Sequence, residues 1–286
     1  MHVIIGTIPD DDLPVTIGKI GMRNSKLEID GIRLDIDRGT PAMASAACQT
    51  SKYLNREPPT AIFAGDTGCG EGSRALYAWL EKNIAQFNPT VITFHYILPD
   101  NKLHNRVLDA ILKLQPRPIL IADAGYMYVA KMSGHAPDYD LFTPDAGELA
   151  FLADELAPHP FYTRGFILHD GYGIEEKIAR AYEYKNAAKV LIVKGSIDYV
   201  VSRGRIVEKI SEPCIEALEP IGGTGDTLTG IVSALAASGK DLAEASILAC
   251  RVNRIAGQLA NPTPATRVCK LIEKIPDALK TVYNPS

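Results

Sequence analysis

Short apolar runs at residues 61–64, 91–94, 118–122, 140–143 and 190–193, separated by helix-length segments, limit what this chain can fold into. Runs of four or five apolar residues with no polar alternation suit strands covered on both faces. Helix patterns at about 73–83, 101–114 and 147–156 fall between them, and the last third reads as helices at about 226–238, 242–259 and 265–282. The expectation is an α/β fold: a three-layer α/β/α sandwich around a mostly parallel central sheet. Ahead of it, residues 27–36 alternate about Asp30-Gly31, the signature of a hairpin, within a strand-rich stretch 15–38. Thr40 and Pro41 then open an Ala-rich helix to about residue 54. Residues 199–201 and 205–207 read as a second hairpin about Arg203-Gly204, and 157–165, with Pro158, Pro160 and Gly165, as an irregular loop of lid composition.

No linker, repeat or low-complexity stretch divides the chain. The 286 residues are expected to form a single domain, with a small β-ribbon and helix in 1–57 and the α/β core in 58–284. Hydrophobic residues make up 46% and charged residues 22%, with a formal net charge of −4. There is no basic run, so nucleic acid is not an expected partner. The five cysteines, Cys48, Cys69, Cys214, Cys250 and Cys269, form no CxxC pair, which argues against a disulfide framework or a zinc site. Asp10-Asp11-Asp12 follows the first apolar residues and no basic leader precedes them. No uncharged run reaches the roughly 20 residues that span a bilayer. These features predict a cytoplasmic protein with no membrane partner, and leave a homo-oligomer open.

The strongest chemical signal is Gly222-Gly223-Thr224-Gly225-Asp226, which leads straight into a helix of small and apolar residues. Glycine backbone lets consecutive N–H groups converge, and a helix start adds partial positive charge, so the turn suits a phosphoryl group. Asp226 beside such an anion site fits a base that accepts a hydroxyl proton. Read alone, it fits a plain Asp N-cap equally. GK[ST] is absent, so this is not a P-loop, and no G-x-S-x-G elbow supports a Ser-His-Asp hydrolase.

The segment Gly223-Thr224-Gly225-Asp226 resembles the anion hole of the ribokinase superfamily, and its continuation to Ile231 is most similar to the ADP/ATP-dependent NAD(P)H-hydrate dehydratase branch. Thr143-Pro144-Asp145-Ala146-Gly147-Glu148 resembles the Thr-Pro-Asn-x-x-Glu element of the kinases and the Thr-Pro-His-Pro-Gly-Glu element of the dehydratases; Asp145 stands where those carry Asn or His. The strand ending in Lys194-Gly195 and the strand-end Asp123-Ala124 follow the same order. The Lys-Gly-x-x-Gly approach of the dehydratases is not recognisable in the first 57 residues.

The resemblance implies an enzyme that uses ADP or ATP with Mg2+ to phosphorylate a hydroxyl of hydrated NADH or NADPH and then eliminates phosphate. The alternatives are a kinase of a small alcohol and a non-catalytic nucleotide-binding protein. By resemblance Asp226 is the catalytic base, while Lys194, Gly195, Gly222, Gly223, Thr224 and Gly225 bind the nucleotide phosphates. Glu148 holds the metal through water, and Asp123 and Asp145 face the substrate. The second glycine-rich loop, with Asp66, Gly68 and Gly70, is placed on the substrate side. Its G-x-G-x-G spacing does not fit a dinucleotide fingerprint. Bland readings remain at this point: a first-turn Glu148, a solvated Lys194, a turn-capping Asp123, a purely structural loop and a structural His95.

Overall fold

The computed structural model describes residues 1–164 and 173–283. Among the described residues one eleven-stranded sheet runs in the order β11-β10-β9-β8-β7-β6-β1-β5-β2-β3-β4. Its strands are β1 (His2–Ile8), β2 (Thr16–Arg23), β3 (Lys26–Ile29), β4 (Ile32–Asp35), β5 (Thr60–Gly65), β6 (Val91–His95), β7 (Ile119–Ala122), β8 (Leu141–Phe142), β9 (Val190–Val193), β10 (Asp198–Ser202) and β11 (Arg205–Ile210). The six strands β5, β1, β6, β7, β8 and β9 run parallel to one another. Antiparallel strands extend the sheet at both ends. The mostly parallel sheet, the early ribbon and the late hairpin therefore agree with the sequence.

One expectation fails. The reading that begins the core at residue 58 leaves out β1, which is fully buried and lies between β5 and β6. Its apolar run, Val3-Ile4-Ile5, is only three residues long before Gly6, so the sequence marks it as a strand more weakly than the others. The expected helix at 265–282 is also two pieces, Cys269–Ile272 and Ile275–Val282, the second restarting with Pro276 in its first turn.

Helices cover both faces. On one side lie α1 (Gly39–Tyr53), α7 (Thr224–Ala237) and α8 (Leu242–Leu259), joined by the buried face of the ribbon through Ile20, Leu27 and Ile29. On the other lie α2 (Glu71–Asn83), α3 (Asn101–Leu112), α4 (Ala124–Met132), α5 (Ala146–Ala153) and α6 (Ile174–Glu183). The loop after α5 is anchored from below: the buried Lys131 ammonium donates to the carbonyls of Phe151, Asp154 and Ala157 at 2.7, 2.6 and 3.1 Å. Gly165, the end of the stretch with lid composition, lies outside the described residues.

The closest helix contact is α1 against α7. A Cβ on Gly230 would sit 2.1 Å from the Met43 carbonyl oxygen and 2.9 Å from the Ala46 side chain. Helix propensity favours Ala over Gly by about 1 kcal/mol. A clash with rigid backbone outweighs that gain, because the whole helix pair must move apart. Gly230→Ala is expected to lose about 1–3 kcal/mol of stability, read as a lower urea midpoint; a midpoint at or above the parent's contradicts the packing described.

Candidate active site

Parallel strands end together, so the side chains that follow β6, β7, β8 and β9 gather at one edge of the sheet, the edge at which open α/β folds bind ligands. Asp123 follows β7. Its Oδ1 accepts from Ala124 N at 2.9 Å, which caps α4, and its Oδ2 accepts from the Thr229 hydroxyl of α7 at 2.6 Å. Lys194 follows β9 and its Nζ donates to both Asp123 oxygens at 3.0 and 3.2 Å. Sequence placed Asp123 with the substrate and Lys194 with the nucleotide; the structure joins them in a buried ion pair. Burial alone would lower the Lys194 ammonium, but Asp123, Glu148 and Asp226 outweigh it and hold its pKa raised.

Gly223 takes a φ of 94°, the left-handed region, and is the N-cap of α7. A Cβ there would also sit 3.0 Å from the Arg38 backbone. Asp226 is therefore not the N-cap but a first-turn residue, and the capping alternative falls. Its carboxylate leaves its own helix: Oδ2 accepts from Gly39 N, the start of α1, at 2.6 Å, and Oδ1 accepts from His95 Nε2 at 3.1 Å. Because a carboxylate only accepts, Nε2 carries the proton, and in the neutral ring Nδ1 accepts from the Thr40 hydroxyl at 3.0 Å. Burial pushes the Asp226 carboxyl up, but His95, Lys194 and the Gly39 N–H together hold it below the ordinary value. It is thus an ionised acceptor at the mouth of the 222–225 glycine turn.

Around the turn, Asn253 Nδ2 donates to the Thr224 carbonyl at 3.0 Å. The buried Arg254 donates to the Gly195 carbonyl at 2.9 Å while it pairs with Asp198 at 2.7 Å. Gly195 N in turn donates to Asp198 Oδ1 at 3.1 Å. The Lys194 stem lies against Gly225, and the exposed Arg38 lays its stem 3.5 Å from where a Cβ on Gly222 would be.

Glu148 and Asp145 form a capping box: Asp145 N donates to Glu148 Oε2 and Glu148 N to Asp145 Oδ1, both at 2.8 Å. Burial, reinforced by Asp123 and Asp145 against the pull of Lys194, pushes the Glu148 carboxyl up to about 8. Asp66 also serves the backbone. It accepts from Gly68 N, Gly70 N and Ser73 N at 2.9, 2.9 and 2.8 Å, and from the Ser73 hydroxyl at 2.7 Å. Both of its oxygens hold the glycine loop in shape, so any ligand contact there falls to the loop rather than to this carboxylate.

Sequence reasoning favoured a structural role for His95, although it follows strand residues toward the site, and missed Thr40, Gly39, Arg38 and Thr229. His95 ends a strand at the same edge as Asp123 and Lys194, a positional signal that applied to it equally. Thr40, read as a helix cap, lies inside α1, whose N-cap is Arg38. Ligand atoms of His95, Asp123 and Asp226 lie within 4.8 Å of one another, a spacing that could hold a metal ion. The Lys194 ammonium supplies positive charge there and offsets one of the two carboxylates.

This fold, with its glycine turn and Asp226 at the carboxyl edge of a largely parallel sheet, is ribokinase-like. It matches an ADP/ATP-dependent NAD(P)H-hydrate dehydratase from Bacillus subtilis, co-crystallized with ATP/Mg2+, at a TM-score of 0.55 and 16% identity, covering 98% of this chain and 89% of that one. Residues 98–277 match the NAD(P)H-hydrate dehydratase family, and the chain belongs to it. It is 41% identical over 239 residues to an uncharacterized protein of Methanocaldococcus jannaschii, covering 83% of this chain and 98% of that protein. It is 30% identical over 115 residues to an ADP-dependent (S)-NAD(P)H-hydrate dehydratase of Haloterrigena turkmenica, covering 40% of this chain and 42% of that one.

The raised Glu148 pKa has a measurable consequence. The unfolded carboxyl ionises near 4.5 and the folded one near 8, so between these values the folded state holds the extra proton and stability falls as pH rises. Glu148→Gln removes that dependence. Its melting temperature should match the parent near pH 4.5 and exceed it by about 2 °C or more at pH 9. Equal melting temperatures at both pH values contradict the buried charge described.

Proposed function

We propose that this chain transfers a phosphoryl group from ADP or ATP to the hydroxyl of hydrated NADH or NADPH and then releases phosphate, restoring the reduced cofactor. The observation that carries the reading is Asp226, kept ionised by Gly39 and His95 at the entrance to the 222–225 turn. In the first step Asp226 accepts the substrate hydroxyl proton as the oxygen attacks phosphorus. The amides of the turn and the start of α7 hold the phosphoryl oxygens, whose charge they meet without reorganising. Lys194 stays on Asp123 and adds positive charge beneath the turn, and Arg38 adds it from the opposite rim. In the second step the phosphate departs with the carbon–oxygen bonding pair and the adjacent carbon loses a proton, so the substrate loses the elements of water while its hydroxyl oxygen leaves in inorganic phosphate.

Glu148 fits the water-mediated metal role. A carboxyl raised by burial and by the neighbouring Asp123 and Asp145, with Lys194 only partly offsetting them, is a site that a hydrated divalent cation would complete. Mg2+ bound there would neutralise charge between the nucleotide phosphates.

A kinase that stops after the first step is the second reading. It is favoured by the position of Gly39, Thr40, His95 and the glycine loop, all of which precede residue 98 and lie outside the matched family segment. The products separate the two: dehydration regains the absorbance of reduced nicotinamide, whereas a kinase accumulates a phosphorylated alcohol.

Asp226→Asn tests the base. Asn can accept from Gly39 N and donate to His95 Nε2 once the imidazole proton moves to Nδ1 and is donated to Thr40, so the fold should survive. Turnover of hydrated NADH with ADP or ATP is expected to fall about 10²–10⁴-fold. Nucleotide affinity should stay the same or tighten, because a negative charge is gone. Near-normal turnover in this variant removes the base from the mechanism.

A further inference from the structure

Tyr96, the first residue after β6, takes a φ of 48°, a left-handed conformation that bulky side chains rarely adopt. The Thr7 hydroxyl fixes it by donating to the Tyr96 carbonyl, and the buried Ile97 follows. Gly or Asn would make this turn at lower cost. What the turn achieves is to hold the ring out: Tyr96 is 50% exposed, although its neighbours His95 and Ile97 are fully buried. The ring stands edge-on to His95 at 4.3 Å and 82°, and its edge lies 3.6 Å from where a Cβ on Gly39 would be. His95 and Gly39 are the two groups that hold Asp226. Leu98, 40% exposed, continues the surface toward Gly70 of the glycine loop. A backbone outlier that presents an aromatic face beside a carboxylate is the kind of strain that active sites retain.

We propose that the Tyr96 ring is the stacking face of the substrate subsite, on which the planar, still-conjugated half of a hydrated nicotinamide-type nitrogen ring lies with its hydroxyl directed at Asp226. This rests on the reading of Asp226 as the base. The chemistry of the second step selects the ring class. Water adds to an enamine so that the hydroxyl sits on the carbon next to nitrogen. When phosphate leaves that carbon, the nitrogen lone pair forms C=N and the ring becomes cationic. Loss of a proton from the neighbouring carbon then forms C=C and returns the pair to nitrogen. An aromatic face stabilises such a cation, and the negative field of Asp226, Asp123 and Glu148 acts on the same place. Burial and that field push the Tyr96 phenol up to about 12, so it stays neutral throughout.

Tyr96→Asn removes the ring and keeps a residue that tolerates the left-handed backbone; Tyr96→Phe keeps the ring. The readouts are KM for hydrated NADH, the dissociation constants of NADH and nicotinamide mononucleotide, ADP affinity and melting temperature. In the Asn variant KM and the nicotinamide dissociation constants should rise roughly tenfold or more, with ADP affinity within about twofold of wild type and no loss of melting temperature. The Phe variant should restore KM to within about threefold of wild type. A tyrosine that only packs gives the reverse, a lower melting temperature with unchanged KM, and that result overturns the subsite. If wild type turns over hydrated NADH and the Asn variant keeps its KM, the subsite falls and the dehydratase reading stands. If wild type shows no turnover yet binds a nicotinamide ring through Tyr96, the subsite stands and the dehydratase reading falls. A wild type that neither turns over hydrated NADH nor binds a nicotinamide ring removes both.

Discussion

Three carboxylates, Asp123, Glu148 and Asp226, share the edge of the sheet with one ammonium, that of Lys194. Removing charge from water is costly unless partners compensate, and the compensation is uneven. Asp123 receives the lysine, a threonine hydroxyl and a backbone amide. Asp226 receives an imidazole and the first amide of α1. Glu148 receives the Asp145 amide and a long contact from the Tyr128 hydroxyl at 3.3 Å, and it is the carboxyl whose pKa rises. This gradient sorts the three into an anchor, a ready proton acceptor and a group short of a cation. The packing of α1 on α7 supports the sorting, since both helix starts must meet for Gly39 to reach Asp226.

Much of this was legible in sequence, and the reasons are physical. Four-residue apolar runs between helices dictate buried parallel strands whatever the tertiary detail, and the glycine turn announces itself because few other sequences allow its backbone. Polar contacts across the fold are not encoded locally. Nothing near Asp226 in sequence signals Gly39 or His95, which lie 187 and 131 positions away. Asp66 and Asp145 look like ligand groups in sequence because their nearest partners are backbone N–H groups, which carry no letter of their own. The helix start at Thr224 rather than Asp226 depends on the φ of Gly223, which glycine permits but does not prescribe.

The family match and the site divide the molecule differently. Residues 98–277 carry Asp123, Glu148, Lys194 and the 222–226 turn, the half that would handle phosphate. Gly39 and His95, the two groups that hold Asp226, come from the first 97 residues, as do Arg38, Thr40, Tyr96 and the glycine loop. The 41% identity to the Methanocaldococcus protein extends over 83% of this chain, so that relative shares more than the matched family segment.

The position of β1 bears on how the chain is made. It is made before both of its neighbours, Thr60–Gly65 and Val91–His95, and has no hairpin partner of its own. Loop closure must therefore precede any pairing of this strand. Until about residue 95 has emerged, a seven-residue apolar β-former stays incompletely paired, the kind of segment that associates with other chains. A sheet built around a strand that must wait for both neighbours thus leaves that strand exposed during synthesis, and its yield in a cell depends on how that interval is covered.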